Sequence, residues 1–395
     1  MKYKPHLADS RHCTGCFACI DSCPKQAISK TISADGHFYV KINYNLCISC
    51  SRCEKNCPII NKEKYSSNIL TKSTPYSFYC TNAELSQHST SGGAFIAFAT
   101  LFINNGGYVC GAIMSNNSVK HIISNKLEDI LLMQGSKYIQ SDMQGVYLGI
   151  QKLLNKGYKV LFCGMGCQSA AILSFFKKYR NKDLLYVIDM ICGGVPSRLL
   201  IDKFIEGEKN IKQIIGFRDK EKYILTCRDN NNKIIKFKNC RPLPLYGYFS
   251  NLTNRYSCGN CVFCGVERLS DITIGDLWEK NKNSNIHKSI IVTHTEKGKQ
   301  LLQSANDVIY HPINWDFAKI NFRLIFGKTY NNYRLQRIFL PNIFKNLSYK
   351  NICGFYGCEL NNLIWIFLKI FNKLFGCIQS VIIKHNVRKI LNKIE

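Results

Sequence analysis

Acidic residues are scarce in this chain: 26 Asp+Glu stand against 53 Lys+Arg over 395 residues, a formal net charge of +27. Such a surplus favours anionic partners, among them phosphate-bearing cofactors, acidic redox proteins and anionic lipid. Nucleic acid is not expected as a partner, because no basic stretch carries an interleaved aromatic platform. The abundance of Asn, Ile and Lys also marks a compositional bias that accounts for part of the charge. An apolar leader segment is missing too. The start, Met-Lys-Tyr-Lys-Pro-His, runs into polar sequence, so a disulfide-stapled secreted fold is not expected. No nucleophile–base pair stands out, and Asp271 and Asp276 have no acid–base partner in the pattern, which favours structural roles for both.

Cysteine is what the chain has in excess, 21 residues in all. The first eight form two copies of one pattern, Cys13-x2-Cys16-x2-Cys19-x3-Cys23-Pro24 and Cys47-x2-Cys50-x2-Cys53-x3-Cys57-Pro58. This is the spacing of a ferredoxin module with two [4Fe–4S] clusters, in which the cysteine before proline ligates the other loop's cluster. Cys13, Cys16, Cys19 and Cys57 are therefore assigned to one cluster, and Cys47, Cys50, Cys53 and Cys23 to its partner. Zinc sites use paired knuckles in place of a triplet followed by Cys-Pro. Clusters of this kind point to a reducing compartment, so a cytoplasmic address is expected.

The organisation reads as a ferredoxin domain over 1–62, a linker over 63–75, a main domain over 76–325 and an extension over 326–395. In the main domain, apolar runs alternate with helical patterns, predicting α/β architecture with a mostly parallel sheet. Strands are expected at Tyr76–Thr81, Tyr108–Met114, Lys159–Cys163 and Leu185–Cys192. Helices are expected after Gly92-Gly93 through Phe102 and at Leu127–Met133, Val146–Leu154, Ala170–Tyr179 and Ser197–Glu208. Tyr223–Arg228 and Lys233–Lys238 flank Asp229-Asn-Asn-Asn232, a hairpin signal that predicts an antiparallel insertion.

Chemistry gathers at the predicted strand ends. Cys163-Gly164-Met165-Gly166-Cys167-Gln168 is a Gly-rich turn between strand and helix, where ligands bind in open α/β sheets. Asp189-x2-Cys192-Gly193-Gly194-x-Pro196-Ser197 repeats the arrangement, and Cys258-x2-Cys261-x2-Cys264 forms a compact cysteine loop. Cys167, Cys192, Cys258 and Cys261 satisfy the ligand count of a third [4Fe–4S] cluster, with Cys264, Cys227 or Cys240 as substitutes for one of them. Ser89-Thr-Ser91-Gly92-Gly93 offers an anion cradle at a helix start, and Gly135-Ser136-Lys137-Tyr138 adds a cation and a flat ring. Iron–sulfur clusters pass single electrons whereas nicotinamide and deazaflavin coenzymes carry hydride, so a flavin is the expected converter.

Taken together these motifs resemble the coenzyme F420 hydrogenase/dehydrogenase beta-subunit family, here with a ferredoxin module fused in front. The matching string runs from Ser91-Gly92-Gly93 through Ser136-Lys137-Tyr138, Gly164-x-Gly166-Cys167-Gln168, Asp189-x2-Cys192-x-Gly194-x-Pro196-Ser197 and Cys258-x2-Cys261 to Asp271-x3-Gly275-Asp276-x-Trp278. The resemblance implies an oxidoreductase with FAD beside a [4Fe–4S] cluster. Ser91, Gly92, Gly93, Ser136, Lys137 and Tyr138 would line FAD, Gly164, Gly166 and Gln168 would approach it, and Cys167, Cys192, Cys258 and Cys261 would hold the cluster. It also implies a redox partner protein or a reduced coenzyme, F420- or NAD(P)H-like. The chain departs from the family in carrying Gly166 where relatives often have proline, and in the additional thiol of Cys264. The rival readings are an electron-transfer subunit without its own substrate and a non-catalytic redox sensor.

From Leu363 to Ile394 the chain turns apolar, with Lys369, Asn372, Lys373, Gly376, Gln379, Ser380 and Lys384 forming one polar stripe. A C-terminal amphipathic helix is expected, with peripheral membrane contact through Trp365 or docking on protein as its two readings.

Overall fold

The two cysteine loops fold as a backbone duplicate. A computed structural model describes residues 3–62, 73–220, 222–237, 242–250, 253–265, 268–278, 287–319 and 344–356. Each triplet wraps into a short helix, α1 (Ala18–Asp21) or α2 (Arg52–Lys55). Residues two after the first cysteine, Gly15 and Ser49, and one after the second, Phe17 and Ser51, are all left-handed. Ser and Phe pay about 1–2 kcal/mol each for that conformation, so the loop curls tightly for a reason other than its own comfort. Between the loops β1 (Ile28–Ile32) and β2 (Phe38–Ile42) form an antiparallel hairpin.

The module does not hang from a linker. Phe17 and Ala18 are fully buried in the same apolar cluster as Tyr147, Ile150, Phe162 and Val187 of the main domain. Polar contacts close the seam. Asp21 accepts from the Gly145 and Tyr147 amides, the Tyr147 hydroxyl donates to the Cys16 carbonyl, and the Ser197 hydroxyl donates to the Asp35 carbonyl.

The main domain's large sheet is built from β3 (Thr74–Cys80), β4 (Tyr108–Ser115), β5 (Ser118–Ser124), β6 (Ser141–Asp142), β7 (Val160–Met165) and β8 (Leu185–Met190). Three later strands complete it. To number them in chain order, β9 (Ile211–Gly216), β10 (Leu225–Asp229) and β11 (Ile234–Phe237) form a separate three-stranded antiparallel sheet, and β12 (Ile272–Asp276), β13 (Ser289–Thr293) and β14 (Val308–Pro312) return to the large one. Among the described residues its order is β14-β3-β13-β12-β8-β7-β4-β5-β6.

The expected mostly parallel sheet is corrected to a mixed one. The centre, β12-β8-β7-β4, is parallel, whereas β14-β3-β13-β12 and β4-β5 pair antiparallel. One cause is local: Asn116 and Asn117 both take positive φ, the two-residue hairpin turn that sends β5 straight back along β4. The antiparallel insertion stands as expected, in β9–β11. Helices α3 (Ala83–Ser86), α4 (Ala94–Asn104) and α5 (Leu127–Met133) share one apolar cluster with the sheet, while α6 (Val146–Asn155) and α7 (Gly166–Phe175) pack with the ferredoxin module in another. α8 (Leu199–Gly207) joins the small sheet. Among the described residues no helix is long and apolar enough to cross a membrane. The expected C-terminal amphipathic helix, with Trp365, lies outside the described residues, as does the expected linker up to residue 72.

Asn117 also anchors the small sheet, its side chain accepting from the Ile214 amide at 2.8 Å and donating to the Lys212 carbonyl at 3.2 Å. Asn117→Ala leaves both groups unpaired, which costs about 1–3 kcal/mol. Faster hydrogen exchange across Ile211–Gly216, with the central parallel strands unchanged, is the expected result.

Candidate functional site

The parallel centre of the sheet points its carboxyl ends at one place. β7 ends at Met165, β8 runs on into Cys192-Gly193-Gly194, and β12 ends at Gly275-Asp276, and all three ends wall one cavity of about 310 Å³. That volume falls at the small end of ligand sites, roughly 300–1,000 Å³. Its far wall is the start of α4, with Ser91, Gly93, Ala94 and Phe95, and the stretch Gln134–Ile139 after α5. Of the nine residues expected at a cofactor, Ser91, Gly93, Ser136, Lys137, Tyr138 and Gln168 line this cavity. Gly92, Gly164 and Gly166 are not in its wall. They shape it from behind, since a Cβ at Gly92 would meet the Phe78 carbonyl at 2.5 Å and one at Gly166 the Phe263 carbonyl at 2.7 Å.

Most polar side chains in the wall are already engaged. The Gly92 amide donates to the Ser289 hydroxyl, that hydroxyl to Ser91, and Ser91 to the Lys288 carbonyl. Lys137 places its ammonium on the carbonyls of Met133, Gln134 and Gly135 at 3.0, 2.7 and 3.2 Å, closing the C-terminal end of α5. Gln168 accepts from the Met165 amide and so fixes the turn into α7. Two features remain open to a ligand. Gly93 is left-handed and gives α4 no side-chain cap, and the uncapped first residues Gly93, Ala94 and Phe95 line the cavity. Tyr138 stacks on Tyr248 at 4.0 Å and 20°, offering an aromatic wall.

His121 and Arg218 are among the cavity residues that sequence reasoning missed. His121 on β5 is buried; its Nε2 donates to the Cys163 carbonyl at 3.2 Å, which leaves Nδ1 to accept from the Ser141 hydroxyl at 2.7 Å. Arg218 follows β9 and binds Asp276 at 2.7 Å, its guanidinium also lying 5.0 Å from the Tyr223 ring. Neither lies in a recognisable motif, because each reaches the cavity through tertiary packing. Asp276 is thereby placed as an ion-pair partner. Asp271 accepts from the Val187 amide and the Thr295 hydroxyl, a structural role as expected.

Below this cavity lies a smaller one walled by Cys167, Cys258, Cys261, Arg255, Gln140 and Thr14 together with Ser141, Met165, Gln168 and Val195. The last four belong to both cavities. Cys192 stands at the junction: it lines the upper cavity, its thiol is 3.5 Å from the Met165 sulfur, and its charge acts on Cys167. Burial pushes Cys167 well above the usual thiol range, with Cys192, Cys258 and Cys16 adding to it. Cys264 is exposed and donates to the Cys261 carbonyl at 2.9 Å. Cys227 is buried in the core of the small sheet, and Cys240 lies outside the described residues.

The ferredoxin thiols lie within electrostatic reach of one another. Burial raises Cys16 to about 12, with Cys57 and Cys13 adding to it, and burial raises Cys19 with Cys16, Cys13, Cys57 and Cys53 acting in the same sense. Cys23, Cys47, Cys50 and Cys53 line a second cleft together. Among the described residues no three of these thiols stand where one metal ion could be held. Cys23, Cys47, Cys50 and Cys53 line a cleft instead, which suits a cube in which each thiolate holds its own iron. Buried thiols with raised pKa lose their protons only to a metal's charge, so the residues fit the group.

Residues 157–313 match the family model for the C terminus of the coenzyme F420 hydrogenase/dehydrogenase beta subunit, and residues 12–59 match the 4Fe-4S dicluster domain. The chain carries the C-terminal domain of the F420 hydrogenase/dehydrogenase beta-subunit family behind a dicluster ferredoxin domain. An iron–sulfur domain of electron-transfer type thus precedes a domain found in an oxidoreductase family. Among solved structures it is similar to a chain of the F420-reducing [NiFe] hydrogenase complex from Methanosarcina barkeri. The identity is 16% and the TM-score 0.45, covering 71% of this chain and 91% of that one. No curated protein matches the chain.

Within the family domain the strand ends rest on a buried polar line. Arg268 pairs with Asp189 at 3.4 Å, the Thr273 hydroxyl donates to Asp189, His294 Nε2 donates to Thr273, and the Ser73 hydroxyl donates to His294 Nδ1. Burial lowers His294 to about 3 and, helped by Lys137, lowers His121 to about 4. An unfolded histidine takes up its proton near pH 6.5, so on acidification the unfolded chain gains protons first. The stability from each group is full above about pH 6.5 and is lost as pH falls toward its folded value, about 4 for His121 and about 3 for His294, roughly 3 and 5 kcal/mol. Urea midpoints measured between about pH 7.5 and 5 should fall, and His121→Gln should flatten part of that fall.

Proposed function

We propose that the protein is an iron–sulfur flavoprotein oxidoreductase in which electrons run between the two ferredoxin clusters, a third [4Fe–4S] cluster and FAD. A two-electron substrate or coenzyme, F420- or NAD(P)H-like, exchanges with the flavin. The observation that carries this reading is the shared wall. Ser141, Met165, Gln168 and Val195 separate the cysteine cavity from the larger cavity, so a cluster held by Cys167, Cys192, Cys258 and Cys261 abuts whatever fills the latter. On its other side Cys167 feels the charge of Cys16, a ligand assigned to the first ferredoxin cluster. FAD would supply the conversion between single electrons and hydride pairs.

The chain's own residues account for binding. The uncapped start of α4 presents amides to a phosphate, and the +27 chain favours an anion in general. Tyr138 and Tyr248 offer a face for a flat ring. Lys137, which burial lowers to about 8, is still mostly protonated at neutral pH, and its three hydrogens are engaged, so it supplies a fixed positive field instead of a direct hydrogen bond. The matched family, one of hydrogenases and dehydrogenases of coenzyme F420, supports this class of partner.

Iron, sulfide and flavin content after anaerobic reconstitution tests the reading. About twelve irons and one FAD per chain are expected, and about eight irons without flavin would sink it. Cys167→Ser should lower iron from about twelve to about eight per chain while the ferredoxin signals persist. Tyr138→Ala should lower flavin occupancy with iron unchanged.

A further inference from the structure

Three arginines are deeply buried near the cavities, and they are not treated alike. Arg218 is neutralised by Asp276 and Arg268 by Asp189. Arg255 is 1% exposed, and among the described residues no carboxylate pairs with it. Its Nε donates to the Cys13 carbonyl at 2.7 Å, and its Nη1 to the Phe38 carbonyl at 2.6 Å and to Gln140 at 3.3 Å. The guanidinium lies 4.2 Å from the Tyr39 ring, and Nη2 is buried without a partner. All these partners are neutral. A buried cation left in that state costs several kcal/mol, which a chain tolerates only when an anion shares the space.

The space is known. Arg255 walls the small cavity with Cys167, Cys258 and Cys261, and through Cys13 it touches the loop assigned to the first ferredoxin cluster. A [4Fe–4S] centre on four thiolates is an anion in both oxidation states and gains one further negative charge when it takes up an electron. We propose that Arg255 is the counter-charge of the third cluster and raises its reduction potential, making that cluster the acceptor for electrons leaving the ferredoxin module. The inference rests on the third-cluster reading above. The step is a single electron passing from the cluster of Cys13, Cys16, Cys19 and Cys57, which is oxidised, to the third cluster, which is reduced. No proton or bond changes place, and the guanidinium meets the added charge. Arg255 is thus a tuning residue that exchanges no electrons itself.

The test is a redox titration of the full reconstituted chain followed by electron paramagnetic resonance, with the third cluster identified as the signal lost in Cys167→Ser. In Arg255→Gln, at a fixed poise, its reduced-to-oxidised ratio should fall about tenfold or more, a shift of about 59 mV for a one-electron couple. Arg255→Lys keeps the charge while losing the planar fork and should hold the wild-type potential, which a merely structural role would not predict. Equal potentials in wild type and Arg255→Gln, or equal downward shifts in the Gln and Lys variants, overturn the proposal. Should Arg255→Gln not assemble, Gln140→Glu sets a carboxylate against Nη1 with the arginine in place. A lowered potential there supports the proposal and an unmoved one overturns it. Eight irons in the wild-type chain overturn both readings, whereas twelve irons with unmoved potentials overturn this one alone.

Discussion

The seam between the ferredoxin loop and the main domain is the contact on which the rest depends. Phe17 and Ala18 are inserted among Tyr147, Ile150 and Phe162, so the loop that carries Cys13, Cys16 and Cys19 is fixed against the sheet that carries Cys167. Electron transfer demands short separations between centres, and a flexible tether would not hold them. Apolar burial sets the approach of the two parts; the polar contacts of Asp21, Tyr147 and Arg255 set their orientation. Without that seam the two cysteine sets would be separate sites on one chain.

Charge is handled differently on the two sides of the shared wall. Around the upper cavity, ions are paired or engaged: Arg218 with Asp276, Lys137 with three carbonyls, and Asp189 with Arg268 and Thr273. Such a wall holds its dipoles fixed before any ligand arrives, which limits the reorganisation that charge transfer would otherwise require. Around the lower cavity burial raises the Cys167 thiol, the contact with Cys264 and burial raise that of Cys261, and among the described residues the arginine has no carboxylate partner.

Much of this was legible in the sequence, for identifiable reasons. The cysteine spacing reports on the dicluster domain because each loop must close on itself, and residues 12–59 match that domain. The cavity residues Ser91, Gly93, Ser136, Lys137 and Tyr138 were legible because their motifs sit at helix and strand ends. Their individual tasks were not: Lys137 and Ser91 looked like ligand contacts, yet their hydrogen bonds go to the protein's own carbonyls. The parallel character of the sheet was overestimated because β5, β13 and β14, which bring the antiparallel pairings, were not among the expected strands, and β12 and β13 are too short to show a period of their own. Arg255 and His121 stayed hidden because burial of a lone polar residue is decided by elements far away in the chain.

The ferredoxin module has a second effect, at the rim of the large sheet. The outermost strand there, β6, is only two residues long, and the hairpin lies across its flank: Lys30 meets Asp142 at 2.5 Å, and Gln140 accepts from the Phe38 amide. An exposed strand edge is a template on which foreign chains can polymerise. By cutting the ladder short and laying a hairpin beside it, the redox module also serves as an end-stop against intermolecular strand pairing. Its loss would therefore bring self-association as well as the loss of two clusters.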